Sequence, residues 1–325
     1  MANDDSILAG DIGGTHARFA IVDRGDSAHW RLRDGVVDLP DHFASFAEAL
    51  RHYLNSLNRC RVPKTIVLAV AGPVVDGRVS LTNRNWQISE SDLRSTGFLA
   101  AHLINDFAAL AYAADRLAAC DLRCIGPDIP SAPAGTITIL GAGTGFGVSC
   151  LARYGGHPVP LATEGGHIGF APQGAEEIAI LEALARRFDR VSVERILSGP
   201  GLENLSRALD EIAGRAVRPL SAAEIVEQAS RGDVDCEATL SRFCSIFGAA
   251  AGDIALAHGA TGGVLIAGGI AGKIETYLRQ GSFRERFEAK GRLSSFVKSI
   301  PTRLIINASA ALLGAARAAE EIRSG

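Results

Sequence analysis

Apolar runs interrupted by glycine turns organise the first half of the chain, and the spacing of those runs predicts the elements. ILAG (7–10) and ARFAIVD (17–23) read as two strands flanking DIGGTH. KTIVLAVA (64–71) is almost continuously apolar, the pattern of a strand covered on both faces. GPVVDGRVSLTN (72–83) places Asp76-Gly77 between two short runs, a hairpin signal. LAAHLI (99–104) is a further buried strand, and FAALAYAADRL (107–117) has helical composition. TITILGAGTGFGVSCLA (136–152) repeats the opening pattern of run, glycine turn and run. EEIAILEALARRF (176–188) reads as an amphipathic helix, with Ile178, Leu181, Leu184 and Phe188 on its inner face and Glu177 and Arg187 toward solvent. Residues 240–258 form a long helix in which 248–252 (GAAAG) leave little side-chain bulk. GGVLIAGG (262–269) is a buried strand, and SAALLGAARAAEEI (309–322) is a strong helix former.

A chain of 325 residues with 47% hydrophobic and 21% charged positions buries a substantial core in one large domain or two ordinary ones. Its net charge of −3 gives no reason to expect a nucleic-acid or membrane partner. The opening MANDDSILAG lacks a basic segment before an apolar core, so no secretory leader is expected. No clean apolar run of about 18 residues occurs, the length of a spanning helix. The six cysteines are scattered, and Cys120 and Cys124 have no histidine at zinc-ligand spacing, so reduced thiols in a cytoplasmic protein are expected.

The two glycine loops change the picture from fold to chemistry. GDIGGT is not a P-loop, because no Gly-Lys-Ser/Thr follows. GAGTGFG (141–147) departs from G-x-G-x-x-G at Phe146 and runs into a strand instead of a helix. Each reads either as an ordinary hairpin turn or as a nest of backbone N–H groups that binds an anion. Two such loops with a threonine beside glycine favour a pair of phosphate clamps. Other candidates are equally double-sided. Asn105-Asp106 ends a strand before a helix, which suits a helix N-cap and also a ligand-facing strand end. Glu164 and His167 in TEGGHIGF are either solvated loop groups or a pair able to grip neighbouring hydroxyls. Glu194 in VSVERILSGPG is either an exposed charge beside Arg190 or Arg195 or a ligand carboxylate. Trp86 is read as core, and Asn83 is given no role.

GDIGGTHARF, LAVAGPV, LTNRNW, INDF, GAGTGFGV, EGGHIGFAP, ERILSGPGL and GGVLIAGGI occur in that order, with SAALLGAA near the end. Together they resemble the bacterial hexokinase-type glucokinases of the hexokinase–actin superfamily. The resemblance implies an α/β, two-domain hexokinase/actin-like (ribonuclease H-like) fold with an interdomain cleft. It implies a small domain of 1–110 with 303–325 and a large domain of 111–302. The implied reaction is transfer of the terminal phosphoryl group of ATP to the 6-hydroxyl of D-glucose, the first step of glycolysis. Asp106 would be the catalytic base, and Asn105, Asp106, Glu164, His167 and Glu194 would bind the sugar. Gly10, Asp11, Ile12, Gly13, Gly14 and Thr15 would form the first nucleotide contact. Gly143, Thr144 and Gly145 would form the second, and Gly268 would approach the adenosine. Asp11 would hold Mg²⁺ through water, which suits an ion that keeps most of its hydration. Some related sugar kinases carry a cysteine-rich zinc loop; no such cluster follows here, so no zinc is expected. A homodimer is implied by resemblance alone. His16 departs from the Asn common at its position. The rival readings are a kinase for another hexose (mannose or an N-acetylated sugar), a non-catalytic sugar sensor, and an actin-like filament ATPase.

Overall fold

Both glycine-flanked repeats fold as antiparallel strand pairs, each extended by parallel strands into a six-stranded sheet. The computed structural model describes the chain except residues 1–5, 15, 25–29, 34, 41–42, 58–61, 82–83, 155–156 and 325. It divides into two units, Met1–Ala118 with Asn307–Gly325, and Ala119–Ile306. The expected cuts at 110 and 303 fall inside the helix Asp106–Ala113 and the strand Thr302–Ile305, and the units change over a few residues later.

In the first unit β1 (Ile7–Ile12) pairs antiparallel with β2 (Ala17–Arg24), in the register Asp11↔Arg18 and Ile12↔Ala17. β3 (Trp30–Leu32) and β4 (Val37–Leu39) both add to β2. After α1 (Phe46–Ser56), β5 (Thr65–Val70) lies parallel to β1. Asp76 and Gly77, with φ of 50° and 66°, make the expected tight turn, closed by hydrogen bonds between Val75 and Arg78. The run that follows, β6 (Arg78–Leu81), pairs with β7 (Trp86–Ser89). Next come α2 (Glu90–Ser95), β8 (Ala100–Asn105), parallel to β5, and α3 (Asp106–Ala113).

The continuous hydrophobicity of β1 and β5 follows from a core on each side of the sheet. Leu8, Ile12, Ile66, Leu68 and Val70 pack on one face with Phe46 and Leu50 of α1. Ile7, Ala9, Val67 and Ala69 pack on the other with Leu312, Ala315 and Ala316 of the C-terminal helix, α12 (Ala310–Ser324). Where α12 crosses α3, a Cβ on Gly314 would lie 1.8 Å from the carbonyl oxygen of Ala109. Gly314→Ala is therefore expected to destabilise the protein by about 1–3 kcal/mol, the cost of overpacking. Urea unfolding checks this, and an unchanged midpoint would contradict so close a helix approach.

In the second unit the sheet contains β9 (Leu122–Cys124), β10 (Ile137–Ala142), β11 (Phe146–Tyr154), β12 (His157–Thr163), β13 (Gly263–Ala267) and β14 (Thr302–Ile305). Its order is β12-β11-β10-β13-β14-β9, with β10, β13 and β14 parallel. Around it lie α4 (Gly174–Ala185), α5 (Gly199–Ile212), α6 (Ala222–Ser230) and α7 (Val234–His258). The short helices α8 (Gly269–Lys273), α9 (Glu275–Arg279), α10 (Ser282–Glu288) and α11 (Ser294–Lys298) follow β13.

Among the described residues α7 is the one helix long and apolar enough to cross a membrane, but 72% of its most apolar stretch is buried within the protein. Its small residues have a packing cause. A Cβ on Gly248 would lie 2.0 Å from the Phe283 carbonyl oxygen, and one on Gly252 would lie 2.5 Å from that of Phe287, so α10 rests directly on α7. Helix α4 departs from expectation. Glu177 is 1% exposed and faces inward with Ile180 and Leu184, whereas Ile178 is 47% exposed. The reversal is possible because the Glu177 carboxylate is satisfied. It accepts from the Gln173 amide at 2.7 Å and from Arg286 at 2.8 Å.

Candidate active site

At the tip of β1 and β2 the amide of Gly13 donates to the His16 carbonyl at 2.8 Å and closes the turn. The amide of Gly14 has no hydrogen-bond partner among the described residues and is available to an anion. Thr15, the other expected phosphate contact, lies outside the described residues. Gly10 and Ile12 support the loop from beneath. Ile12 is fully buried, and a Cβ on Gly10 would lie 2.4 Å from Leu68. The Asp11 carboxylate pairs across the strands with Arg18, whose other guanidinium nitrogen donates to the Ala308 carbonyl at 2.8 Å. His16, which departs from the common Asn, sits 3.0 Å from the Asp38 carboxylate at an exposed position.

Strand β8 delivers Asn105 and Asp106 to the start of α3. The Asn105 side-chain oxygen accepts from the amides of Phe107 at 2.9 Å and Ala108 at 3.1 Å, so it is the N-cap. Its side-chain nitrogen reaches the Gly72 carbonyl at 3.4 Å and keeps a second N–H for other use. Asp106 is the first helical residue, half-buried, with Oδ1 accepting from the Phe107 amide at 2.9 Å. The helix N-terminus favours a negative charge there.

In the second unit the β10–β11 turn closes through the Gly143 amide, which donates to the Gly145 carbonyl at 2.8 Å. The amides of Thr144 and Gly145 have no protein partner among the described residues and form the anion-ready part of the turn. Gly268, exposed with φ of 92°, sits where a Cβ would lie 2.3 Å from the Ala142 carbonyl oxygen, so β13 ends directly against this turn.

The structure brings Glu164, His167 and Glu194 together. His167 Nε2 lies 3.9 Å from Glu164, and its Nδ1 lies 4.0 Å from Glu194 Oε1. These separations exceed hydrogen-bond length and leave the three groups able to turn toward a polyol. Their side chains are 62%, 60% and 32% exposed respectively. The glycines of EGGH have a structural reason. A Cβ on Gly166 would lie 2.0 Å from the Phe146 carbonyl oxygen, and one on Gly165 would lie 2.9 Å from Val148. Thr163 anchors the same turn, donating to the Val148 carbonyl at 2.8 Å and accepting from the Gly165 amide at 3.2 Å. Glu194 does not pair with either arginine named as an alternative. Arg190 donates to the His167 carbonyl at 3.2 Å, and Arg195 lies over the Phe188 ring. Glu194 instead accepts from the Phe146 amide at 2.8 Å.

Asp11 fits a water-mediated Mg²⁺. Arg18 engages one carboxylate oxygen, and a hydrated ion needs only one carboxylate oxygen besides substrate phosphates. Among the described residues no group of three or more His, Cys, Asp or Glu is gathered as a metal cage.

Two supporting residues escaped the sequence reading. Arg84 donates to the Gly14 carbonyl at 3.2 Å while lying over the Trp86 ring at 4.6 Å. Ser198, almost fully buried, donates to the Glu194 carbonyl at 2.8 Å and caps α5 by accepting from the Gly201 amide. The one available signal for Ser198 was its serine immediately before Gly-Pro-Gly, an N-cap followed by proline in the first turn.

A family model described as Glucokinase matches residues 8–322. The glucokinase of Caulobacter sp. (strain K31) is 51% identical over 310 residues, covering 95% of this chain and 93% of that protein. The crystal structure of a glucokinase from an Antarctic psychrotroph is 38% identical, covers 98% of this chain and 99% of its own, and superposes with a TM-score of 0.87. A ROK family glucokinase from Streptomyces griseus, solved with glucose and AMPPNP, is similar in fold alone at 18% identity and a TM-score of 0.66, covering 98% and 100% of the two chains. The α/β architecture is the two-domain sugar-kinase fold, and this chain belongs to the Glucokinase family.

Proposed function

We propose that the protein is an ATP-dependent glucokinase that converts ATP and D-glucose to ADP and glucose 6-phosphate. The observation that carries this reading is the Glucokinase match from residue 8 to 322, which includes every candidate group in both units. The relatives named glucokinase and the neighbour solved with glucose and an ATP analogue support the substrate pair.

Asp106 accepts the proton of the 6-hydroxyl as O6 attacks the terminal phosphorus. The O6–P bond forms, the bond to the ADP oxygen breaks, and the proton later leaves to water. Asn105, Glu164, His167 and Glu194 hold the sugar, each carboxylate accepting from a hydroxyl with roughly 1.5–3 kcal/mol per bond. The unpartnered amides at Gly14, Thr144 and Gly145 take up charge on the phosphates, where most catalysis of phosphoryl transfer resides. Gly268 lets backbone approach the adenosine. When bound through Asp11, Mg²⁺ supplies further neutralisation of phosphate charge. The family likeness alone supports a cytoplasmic homodimer.

A coupled assay of glucose, mannose, glucosamine and N-acetylglucosamine against ATP, ADP and polyphosphate tests the proposal. Glucose with ATP is expected to give the highest kcat/KM. A higher value for another hexose would reassign the substrate, and sugar binding with no transfer from any donor would favour the sensor reading.

A further inference from the structure

Phe146 ends the second glycine turn, and its backbone touches both sugar motifs. Its amide donates to Glu194 Oε2 at 2.8 Å. Its carbonyl abuts Gly166 of EGGH, where a Cβ would lie 2.0 Å away. Glu194 Oε2 also stands 2.5 Å from the place of a Cβ on Gly145, inside the turn. The other oxygen, Oε1, faces His167 at 4.0 Å. One carboxylate therefore has one oxygen on the phosphate turn and the other toward the sugar cluster. The segment behind it is fixed as well. Ser198 holds the Glu194 carbonyl, and the Gly199 amide donates to the Gly143 carbonyl at 2.8 Å, so the turn is gripped at Gly143 and at Phe146 by one stretch of chain.

We infer that Glu194 is a positioning residue for the second phosphate turn as well as a sugar ligand, and that glucose and nucleotide bind with positive coupling through it. This rests on the glucokinase reading. A sugar hydroxyl on Oε1 restrains the carboxylate, and a restrained Oε2 holds the Phe146 amide and keeps the Thr144 and Gly145 amides presented to phosphate. Binding free energies are reciprocal, so a nucleotide that settles the turn must tighten glucose by the same factor.

Isothermal titration of glucose, with and without a non-hydrolysable ATP analogue and Mg²⁺, tests this. Wild-type protein is expected to bind glucose at least about fivefold more tightly with the analogue, the lower end of usual coupling. Gly145→Ala displaces the flexible carboxylate and is expected to weaken glucose about fivefold or more without nucleotide. Gly272→Ala, outside both glycine turns and with nothing within 4 Å of its Cβ, should leave glucose affinity within about twofold. In the reverse direction, Glu194→Ala should weaken the analogue in the absence of sugar, while Glu194→Gln, which keeps an acceptor for the Phe146 amide, should not. The Glu194 pair decides the matter even where Gly145→Ala folds poorly. A wild-type coupling factor near one, or unchanged analogue affinity in Glu194→Ala, overturns the inference while leaving the glucokinase reading intact. Wild-type protein that binds no glucose overturns both.

Discussion

Asp106→Asn is expected to lower kcat by about 10²–10⁴-fold, the usual contribution of a positioned general base, while glucose binding stays close to wild type. The amide has the shape of the carboxylate and retains an oxygen for the Phe107 amide, which Asp106 Oδ1 now engages at 2.9 Å. The start of α3 does not depend on Asp106, because Asn105 supplies the cap through Phe107 and Ala108. What the substitution removes is the capacity to take a proton from a hydroxyl. Turnover by the coupled assay and glucose affinity by titration separate the two effects. Near-normal turnover would remove Asp106 from the chemistry, and equal loss of binding and turnover would make it a sugar ligand only.

Glu164→Gln should weaken glucose about tenfold, or about 1.4 kcal/mol, and leave the ATP analogue nearly unchanged. Hydrogen bonds to an ionised acceptor are roughly twice as strong as neutral ones, and glutamine preserves the length and volume of the side chain. The selectivity follows from placement. Glu164 precedes the turn Gly165–His167, which packs on β11, whereas the unpartnered amides of the second glycine turn, proposed to meet phosphate, belong to Thr144 and Gly145. Parallel titrations of glucose and analogue measure both losses, and equal weakening of the two ligands would count against a sugar role.

How far the sequence disclosed this arrangement depended on the physical source of each signal. The repeated run, turn and run at 7–23 and 136–152 was legible because strands buried on both faces carry an unbroken apolar signature, and both became antiparallel pairs beside parallel strands. The short strands β3, β4, β9 and β14 leave no legible pattern, because three or four residues carry too little periodicity. β12 was missed for a related reason. Its exposed positions and two prolines, Pro158 and Pro160, look like a loop. Helix α4 is legible as a helix, and Leu181, Leu184 and Phe188 pack on the core as its spacing implies, but hydrophobicity alone places Glu177 outside and Ile178 inside; the Gln173 amide and the distant Arg286 make the burial of Glu177 tolerable.

The candidate site divides in the same way. Both meanings of Asn105-Asp106 were visible from a strand end followed by a helix, and the capping half is borne by Asn105. The hydrogen bond from the Phe146 amide to Glu194 spans 48 positions, and no local pattern announces it. The neighbouring arginines that looked like partners for Glu194 are engaged elsewhere. Which amide closes each glycine turn is likewise hidden in the sequence, since closure by Gly13 and Gly143 depends on backbone geometry.

The most direct test of the central claim is a crystal structure of the protein grown with D-glucose. O6 is expected within about 2.6–3.2 Å of an Asp106 carboxylate oxygen, with Glu164, His167 and Glu194 on the ring hydroxyls of the same molecule. A sugar bound with O6 away from Asp106, or held by neither Glu164 nor Glu194, would contradict that claim.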